Sequence, residues 1–218
     1  MKYLIFDTET NGLPKYKDMH STNPHWYKEW PHIVQISWLL FDSERNKIIN
    51  VTDYVAKLPQ GVDIPESASN IHGITKEMSE EKGTDIQKIM YEFNIMLKHT
   101  DVIVGHNIEF DLKMIRALFL KNGAIDPFVL NKHIDVYCTM KKGIDICKIE
   151  AVSKYGKKYY KWPKLIELHK KLFNTEPNNL HNSLTDIYVT LRCFCVMEFS
   201  YDLMDFTDFE RRTRKIFG

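Results

Sequence analysis

Residues 3–6, Tyr-Leu-Ile-Phe, are apolar at every position and run straight into Asp7-Thr8-Glu9. An apolar run without alternation needs cover on both faces, as a central strand has between two helix layers. The rest of the chain must then supply strands on either side of it and helices above and below. Residues 34–41 and 48–55 read as two such strands, and Ser43-Glu44-Arg45-Asn46 between them has the composition of a hairpin turn. Residues 102–104 read as a fourth strand, and a fifth is expected at residues 128–130 or near Ile134. Thr84-x-x-Gln87 reads as a capping box. It opens a helix whose Ile86, Ile89, Met90, Phe93, Met96 and Leu97 follow the helical period. Further helices are expected over residues 109–121, 164–173 and 183–199. A hairpin followed by helix-linked strands implies a mixed α/β sheet flanked by helices on both faces.

A chain of 218 residues is sized for one domain with a sizeable core, here residues 1–199. Residues 14–32, with Pro14, Pro24 and Pro31, read as a long loop. Residues 200–218 read as a basic and aromatic tail carrying Phe206, Phe209, Arg211, Arg212, Arg214 and Lys215. The formal net charge is only +1, so any attraction for a polyanion must come from a local basic surface. Cys138, Cys147, Cys193 and Cys195 lack the spacing of a zinc site or a disulfide framework. With no signal-like start and no membrane-length apolar run, the chain reads as soluble, intracellular (cytoplasmic or nuclear) and not secreted.

Asp7 and Glu9 lie two apart at a strand end, so their side chains share one face of the sheet. Neighbouring carboxylates repel unless a cation lies between them, and hard divalent cations favour such oxygen-rich sites. A strand end running into a polar turn would look the same. His106-Asn107-Ile108-Glu109-Phe110-Asp111 follows the fourth strand. Taken alone, Asp111 is accounted for as an acid complementing a helix dipole and Asn107 as a helix cap. Asp186 differs. It falls nearly opposite the face formed by Leu184, Ile187, Tyr188, Leu191 and Cys195, beside Thr190, Cys193 and Met197. A helix without a charged face is covered on most sides. A carboxylate pointing into a covered site then needs a metal or a basic partner. His181, five residues earlier, is by itself only a polar residue near a helix start.

Taken together, Phe6-Asp7-Thr8-Glu9-Thr10-Asn11-Gly12-Leu13, His106-Asn107-Ile108-Glu109-Phe110-Asp111 and His181-Asn182-Ser183-Leu184-Thr185-Asp186 resemble the motifs of the DEDDh exonucleases. These form the DnaQ-like branch of the RNase H-like fold, a mixed five-stranded sheet. Ile71-His72-Gly73-Ile74-Thr75 is similar to a further segment of that family, and the resemblance spans about residues 2–198. It implies that Asp7, Glu9, Asp111 and Asp186 hold two divalent metal ions, Mg²⁺ or Mn²⁺, and that His181 is the general base. It implies that Thr10, Leu13, Asn107 and Phe110 line the terminal nucleotide. The implied reaction hydrolyses the terminal phosphodiester at the 3′ end of single-stranded DNA or RNA, releasing nucleoside 5′-monophosphates. Two metals can stabilise the attacking and leaving oxygens, and an imidazole suits proton removal near neutral pH.

Residues 154–164 interleave lysines, Lys157 and Lys158 among them, with Tyr155, Tyr159, Tyr160 and Trp162 and contain no acid. Such a stretch is either a platform for a single strand or a solvated basic loop whose rings pack on the core. Two alternatives share the fold: a proofreading or accessory subunit beside a polymerase, and a nucleic-acid-binding relative without catalysis. Sequence leaves the oligomeric state open.

Overall fold

A computed structural model describes residues 1–14 and 25–218. The strand expected at residues 3–6 extends over Lys2–Thr10 (β1). It pairs antiparallel with β2 (Ile33–Asp42), which pairs antiparallel with β3 (Lys47–Val55). Three helices follow: α1 (Glu66–His72), α2 (Lys76–Lys82) and α3 (Ile86–Leu97). Strand β4 (Val102–Gly105) then runs parallel to β1 on its other side and leads into α4 (Ile108–Lys121). After α5 (Pro127–Leu130), β5 (Asp135–Cys138) runs parallel to β4 and completes a five-stranded sheet of order β3-β2-β1-β4-β5. Short helices α6 (Thr139–Lys142) and α7 (Ile144–Cys147) precede a separate hairpin of β6 (Glu150–Val152) and β7 (Lys158–Tyr160). The chain ends with α8 (Leu165–Phe173), α9 (Ser183–Phe199) and α10 (Thr207–Phe217).

The unbroken apolar run of β1 serves two cores. Leu4 and Phe6 face α3 and α4, in a cluster with Trp38, Phe93, Met114 and Ile115. Tyr3 and Ile5 face α9, with Leu39, Val104, Leu191 and Phe194. Helix α9 is buried on nearly every side from Ser183 to Cys195, as its lack of a charged face required.

One expectation needs correction and others gain detail. Of the two places offered for the fifth strand, the segment next to Ile134 holds it, at Asp135–Cys138, and residues 128–130 do not. Pro127, at the start of α5, presets a helical turn there, and Asp126 caps it by accepting from the Phe128 N–H at 2.9 Å. The cap of α3 is Asp85, which accepts from the Gln87 N–H at 2.7 Å, not Thr84. Thr84 is instead drawn into a parallel bridge with Ala56, its backbone bonded to Val55 and Lys57. The loop at 14–32 is not structureless throughout: Trp26–Glu29 forms a 3₁₀ turn and Trp30 is buried, while residues 15–24 lie outside the described residues. Residues 154–164 include one strand of a hairpin, β7, paired antiparallel with β6.

Residues 200–218 fold back onto the α9 core. Phe209 and Ile216 are buried there, and Arg211 and Arg212 pair with Asp208 on α10 itself. The junction is fixed by Arg192, the buried cation of α9. Its Nε and Nη2 donate to both carboxylate oxygens of Asp202 at 2.8 and 2.6 Å. Its guanidinium also lies 3.8 Å from the Phe173 ring centroid and 4.6 Å from that of Phe217. Removing one member of a buried pair costs more than the pair contributes, because the other charge loses its partner. Arg192→Met is therefore expected to lower stability by about 3 kcal/mol, read as a shift in the urea midpoint without loss of the native fold.

Candidate active site

Alternation along β1 places Asp7 and Glu9 on the side of Tyr3 and Ile5, toward α9. Asp186, in the first turn of α9, meets them there. One carboxylate oxygen from each of Asp7, Glu9 and Asp186 lies within 4.8 Å of the others. Asp111 reaches the same region from the opposite side of the strand. Its Oδ1 accepts from both the Thr8 N–H at 3.1 Å and the Thr8 hydroxyl at 2.7 Å, and it is only 4 % exposed. It thus lies outside the trio of carboxylates and is held beside it by the residue between Asp7 and Glu9. The β4–α4 turn that delivers Asp111 is tight. A Cβ on Gly105 would sit 2.5 Å from Ile108 Cδ1 and 3.1 Å from its Cβ, so a side chain there would require Ile108 to move.

The α9 end of the site rests on a polar network that runs from buried Ser183, Ser37 and Gln35 out to exposed Asp53. Ser37 faces Asp7 and Gln35 faces Glu9 across the β1–β2 register. Gln35 Nε2 and the Ser37 hydroxyl both donate to Asp53 Oδ1, at 2.8 and 2.7 Å. The Ser37 and Ser183 hydroxyls are 2.7 Å apart, and the Ser183 N–H donates to Gln35 Oε1 at 3.4 Å. Asn182 caps the helix by accepting from the Thr185 N–H at 3.3 Å. These bonds fix the start of α9, and so Asp186, against β2, whose Ser37 and Gln35 lie opposite Asp7 and Glu9 of β1. Sequence reasoning missed Thr8, Gln35, Ser37 and Asp53. The available signal was the period-two spacing of Gln35 and Ser37 within an otherwise apolar strand.

Burial and mutual repulsion keep these carboxyls protonated well above their usual range. Burial, reinforced by Asp111, Asp186 and Glu9, pushes the Asp7 carboxyl well up. Burial lifts Glu9 to about 7. Asp111 is lifted to about 7 by burial, against the lowering effect of the Thr8 hydrogen bonds. Asp186 rises to about 8 through burial and the Glu9 charge. Asp186 Oδ1 is buried with no hydrogen-bond partner. A buried acceptor left without a partner is costly, and an all-oxygen donor set is the kind that hard divalent cations take. The residues present therefore fit a divalent metal.

His181 is exposed on the loop entering α9, with a left-handed backbone at φ 68°. Beside Glu9 opens a cavity of about 500 Å³ lined by Thr8, Thr10, Leu13, Ile71, His72 and Phe110 among others. It brings together Thr10, Leu13 and Phe110. Asn107 is not in its wall: it is exposed at the start of α4, in left-handed conformation and without a capping side-chain bond. His72 is buried, and its Nδ1 accepts from the Ile74 N–H at 3.0 Å. Gly73 closes α1 at φ 75°, a conformation that glycine adopts without strain. Trp30 packs on Phe110 at 5.8 Å between ring centroids, and Lys121 Nζ donates to the Trp30 carbonyl, pinning the loop end behind the cavity.

Lys157, Lys158 and Tyr160 lie apart from this cluster, exposed on the β6–β7 hairpin. Its rings do not pack on the core: Tyr155 is 84 % exposed and Trp162 60 %.

The sequence model of the RNase_T exonucleases matches residues 4–194. The chain belongs to this exonuclease family. Its mixed five-stranded sheet flanked by helices is that of an RNase_T exonuclease domain of DnaQ-like, RNase H-like type. Solved structures of exonuclease I share the fold. E. coli exonuclease I in complex with a dT13 oligonucleotide is 18 % identical, with a TM-score of 0.66 over 95 % of this chain and 43 % of that one. A zinc-bound form of the E. coli exonuclease I complex with single-stranded DNA is 20 % identical, with a TM-score of 0.65 over 96 % of this chain and 43 % of that one. The moderately thermophilic exonuclease I of Methylocaldum szegediense is 18 % identical, with a TM-score of 0.65 over 94 % of this chain and 42 % of that one. This chain thus spans less than half the length of these neighbours. No curated protein matches it by sequence. Among the described residues, no helix is long and apolar enough to cross a membrane.

Proposed function

We propose that this chain is a divalent-metal-dependent exonuclease that removes nucleotides from the 3′ end of single-stranded DNA and releases nucleoside 5′-monophosphates. The observation that carries this is the meeting of Asp7, Glu9 and Asp186, one oxygen each within 4.8 Å, beside an open cavity. The DNA complex of the exonuclease I neighbour supports the choice of substrate.

Asp7, Glu9 and Asp186 would hold the metal, with Asp111 beside them on its Thr8 bonds. Two bound Mg²⁺ or Mn²⁺ ions would supply Lewis-acid stabilisation of the charge that develops on the phosphodiester oxygens. Thr10, Leu13 and Phe110 receive the terminal nucleotide, whose flat apolar base suits the cavity wall. Asn107, exposed at the β4–α4 junction, would meet the sugar-phosphate edge of that nucleotide. His181 takes the proton of the attacking water on a ring nitrogen, and its exposure lets it pass that proton to solvent. The scissile P–O bond breaks and the 3′ oxygen of the shortened strand is the leaving group. The described cysteines are all free, and three of them are buried, which supports action in a reducing compartment, the cytosol or the nucleus.

Strand polarity tests this. A 5′-labelled single strand should shorten one nucleotide at a time, and a 3′-labelled strand should lose its label as mononucleotide from the start. Early mononucleotide release from the 5′ end, or internal cuts, would overturn it. Duplex DNA and RNA of the same sequence, run in parallel, report the substrate class. His181→Ala is expected to lower kcat about 100-fold with KM little changed, measured on the same single strand.

A further inference from the structure

The β6–β7 hairpin belongs to neither sheet face and adds nothing to either core. Two three-residue strands cannot bury much, yet four large rings sit on and beside them. Tyr155, Tyr159, Tyr160 and Trp162 are 84, 50, 47 and 60 % exposed. So much aromatic surface in one short segment marks a contact surface. Lys154, Lys157, Lys158 and Lys161 stand among the rings, and the nearest acid on the hairpin is Glu150, opposite Tyr160. Lys161 is spent on Glu167 at 2.6 Å, whereas Lys157 and Lys158 make no ion pair among the described residues. Rings alternating with unpaired cations complement a chain of bases and phosphates. A protein partner would also need an apolar face to cover, which charged lysines interrupt here.

The hairpin is stiff and tied to the active site. The Ser153 N–H donates to the Lys157 carbonyl at 2.9 Å, and the Ser153 hydroxyl accepts from the Lys157 N–H at 3.1 Å. Gly156 turns the chain at φ 79°. At its base the Pro163 carbonyl lies 3.0 Å from His106 Nε2, and His106 Nδ1 lies 3.0 Å from the Thr139 hydroxyl. His106 begins the turn that delivers Asp111. The arm is therefore anchored on the same β4–α4 junction that builds the active site.

We infer that the β6–β7 hairpin grips single-stranded nucleic acid upstream of the end held at the carboxylates, its rings stacking on bases and Lys157 and Lys158 holding phosphates. This rests on the proposed nuclease reading of the site. It makes the enzyme favour strands long enough to span from the carboxylates to the arm.

The test compares a fluorescent single-stranded 20-mer with a dinucleotide. Binding of the 20-mer is followed by anisotropy without metal, from low to high salt. Lys157→Gln with Lys158→Gln should weaken 20-mer binding at least fivefold and reduce the salt slope by about 1.4, at ~0.7 per phosphate contact on a single strand. Tyr160→Ala with Trp162→Ala should weaken it about tenfold per ring lost. In both variants the ratio of kcat/KM for the 20-mer to that for the dinucleotide should fall at least tenfold. Lys82→Gln with Lys98→Gln, exposed charges elsewhere on the surface, should match the wild type. Hairpin variants that match the wild type in binding, salt slope and length ratio, while the 20-mer is still digested, would overturn the arm and leave the nuclease reading standing. Loss of self-association in place of nucleic-acid binding would assign the surface to a second copy and also overturn it. A wild-type protein that neither binds nor digests the 20-mer would sink the nuclease reading, and the arm with it.

Discussion

Asp7→Asn is expected to lower kcat about a thousandfold while the metal-free protein becomes more heat-stable. The first effect follows from charge. Metal-supplied stabilisation of a phosphodiester transition state amounts to several kcal/mol, and ~1.36 kcal/mol is a factor of ten in rate. The amide keeps the shape of the carboxylate but loses the charge that would hold the cation. The second effect follows from the position of Asp7, whose proton affinity is raised first by burial and then by the neighbouring Asp111, Asp186 and Glu9. An amide at this position carries neither the cost of burying a charge nor the repulsion, so the gain is largest at alkaline pH, where the carboxyl would otherwise ionise. A loss of activity that came from misfolding would lower the melting temperature instead, so kinetics and calorimetry on one preparation separate the two causes. Full Mg²⁺-dependent activity in Asp7→Asn would remove this residue from the mechanism.

Chelation is expected to abolish activity and to leave a protein whose stability falls as pH rises from about 4 to 8. Glu9 and Asp186 titrate near 7 and 8 in the folded state, against 4.5 and 3.8 for the free groups. In the window between those values the folded protein holds protons that the unfolded chain has released. Their contribution to stability is complete below the unfolded values and is lost as pH rises through 7 to 8. A cation replaces those protons. The increase in melting temperature on adding Mn²⁺ should therefore be larger at pH 8 than at pH 6, and metal binding should release protons into a weakly buffered solution. A metal-induced increase independent of pH would place the cation away from these carboxyls.

How much of this was legible in the sequence depended on the range of the interaction. The two-sided burial of β1 and the covered state of α9 were readable because they are periodic and local: Leu4 and Phe6 feed one core, Tyr3 and Ile5 the other. Asp186 stood out for the same reason, as an acid on a helix without a charged face. Asp111 did not stand out by itself, because an acid in a first helical turn has an ordinary explanation. Its attachment to Thr8 spans 103 positions and exists only once β1 and β4 pair. Gln35 and Ser37 were hidden likewise, since the register that sets them opposite Glu9 and Asp7 is a property of the sheet. The fifth strand was uncertain because Phe128, Val129 and Leu130 are as apolar as a strand. The helical turn there is set by Pro127 and the Asp126 cap. The β6–β7 hairpin carried no alternation of apolar and polar residues, so its pairing gave no signal, although its composition did mark its surface.

The central claim is that Asp7, Glu9 and Asp186 converge on a divalent cation. Anomalous diffraction from a crystal soaked in Mn²⁺ at pH 8 tests it most directly. The expected result is a manganese peak among these three carboxylates, absent from a crystal of Asp7→Asn soaked in the same way. Manganese bound elsewhere, with these carboxylates bare in the difference map, would contradict it.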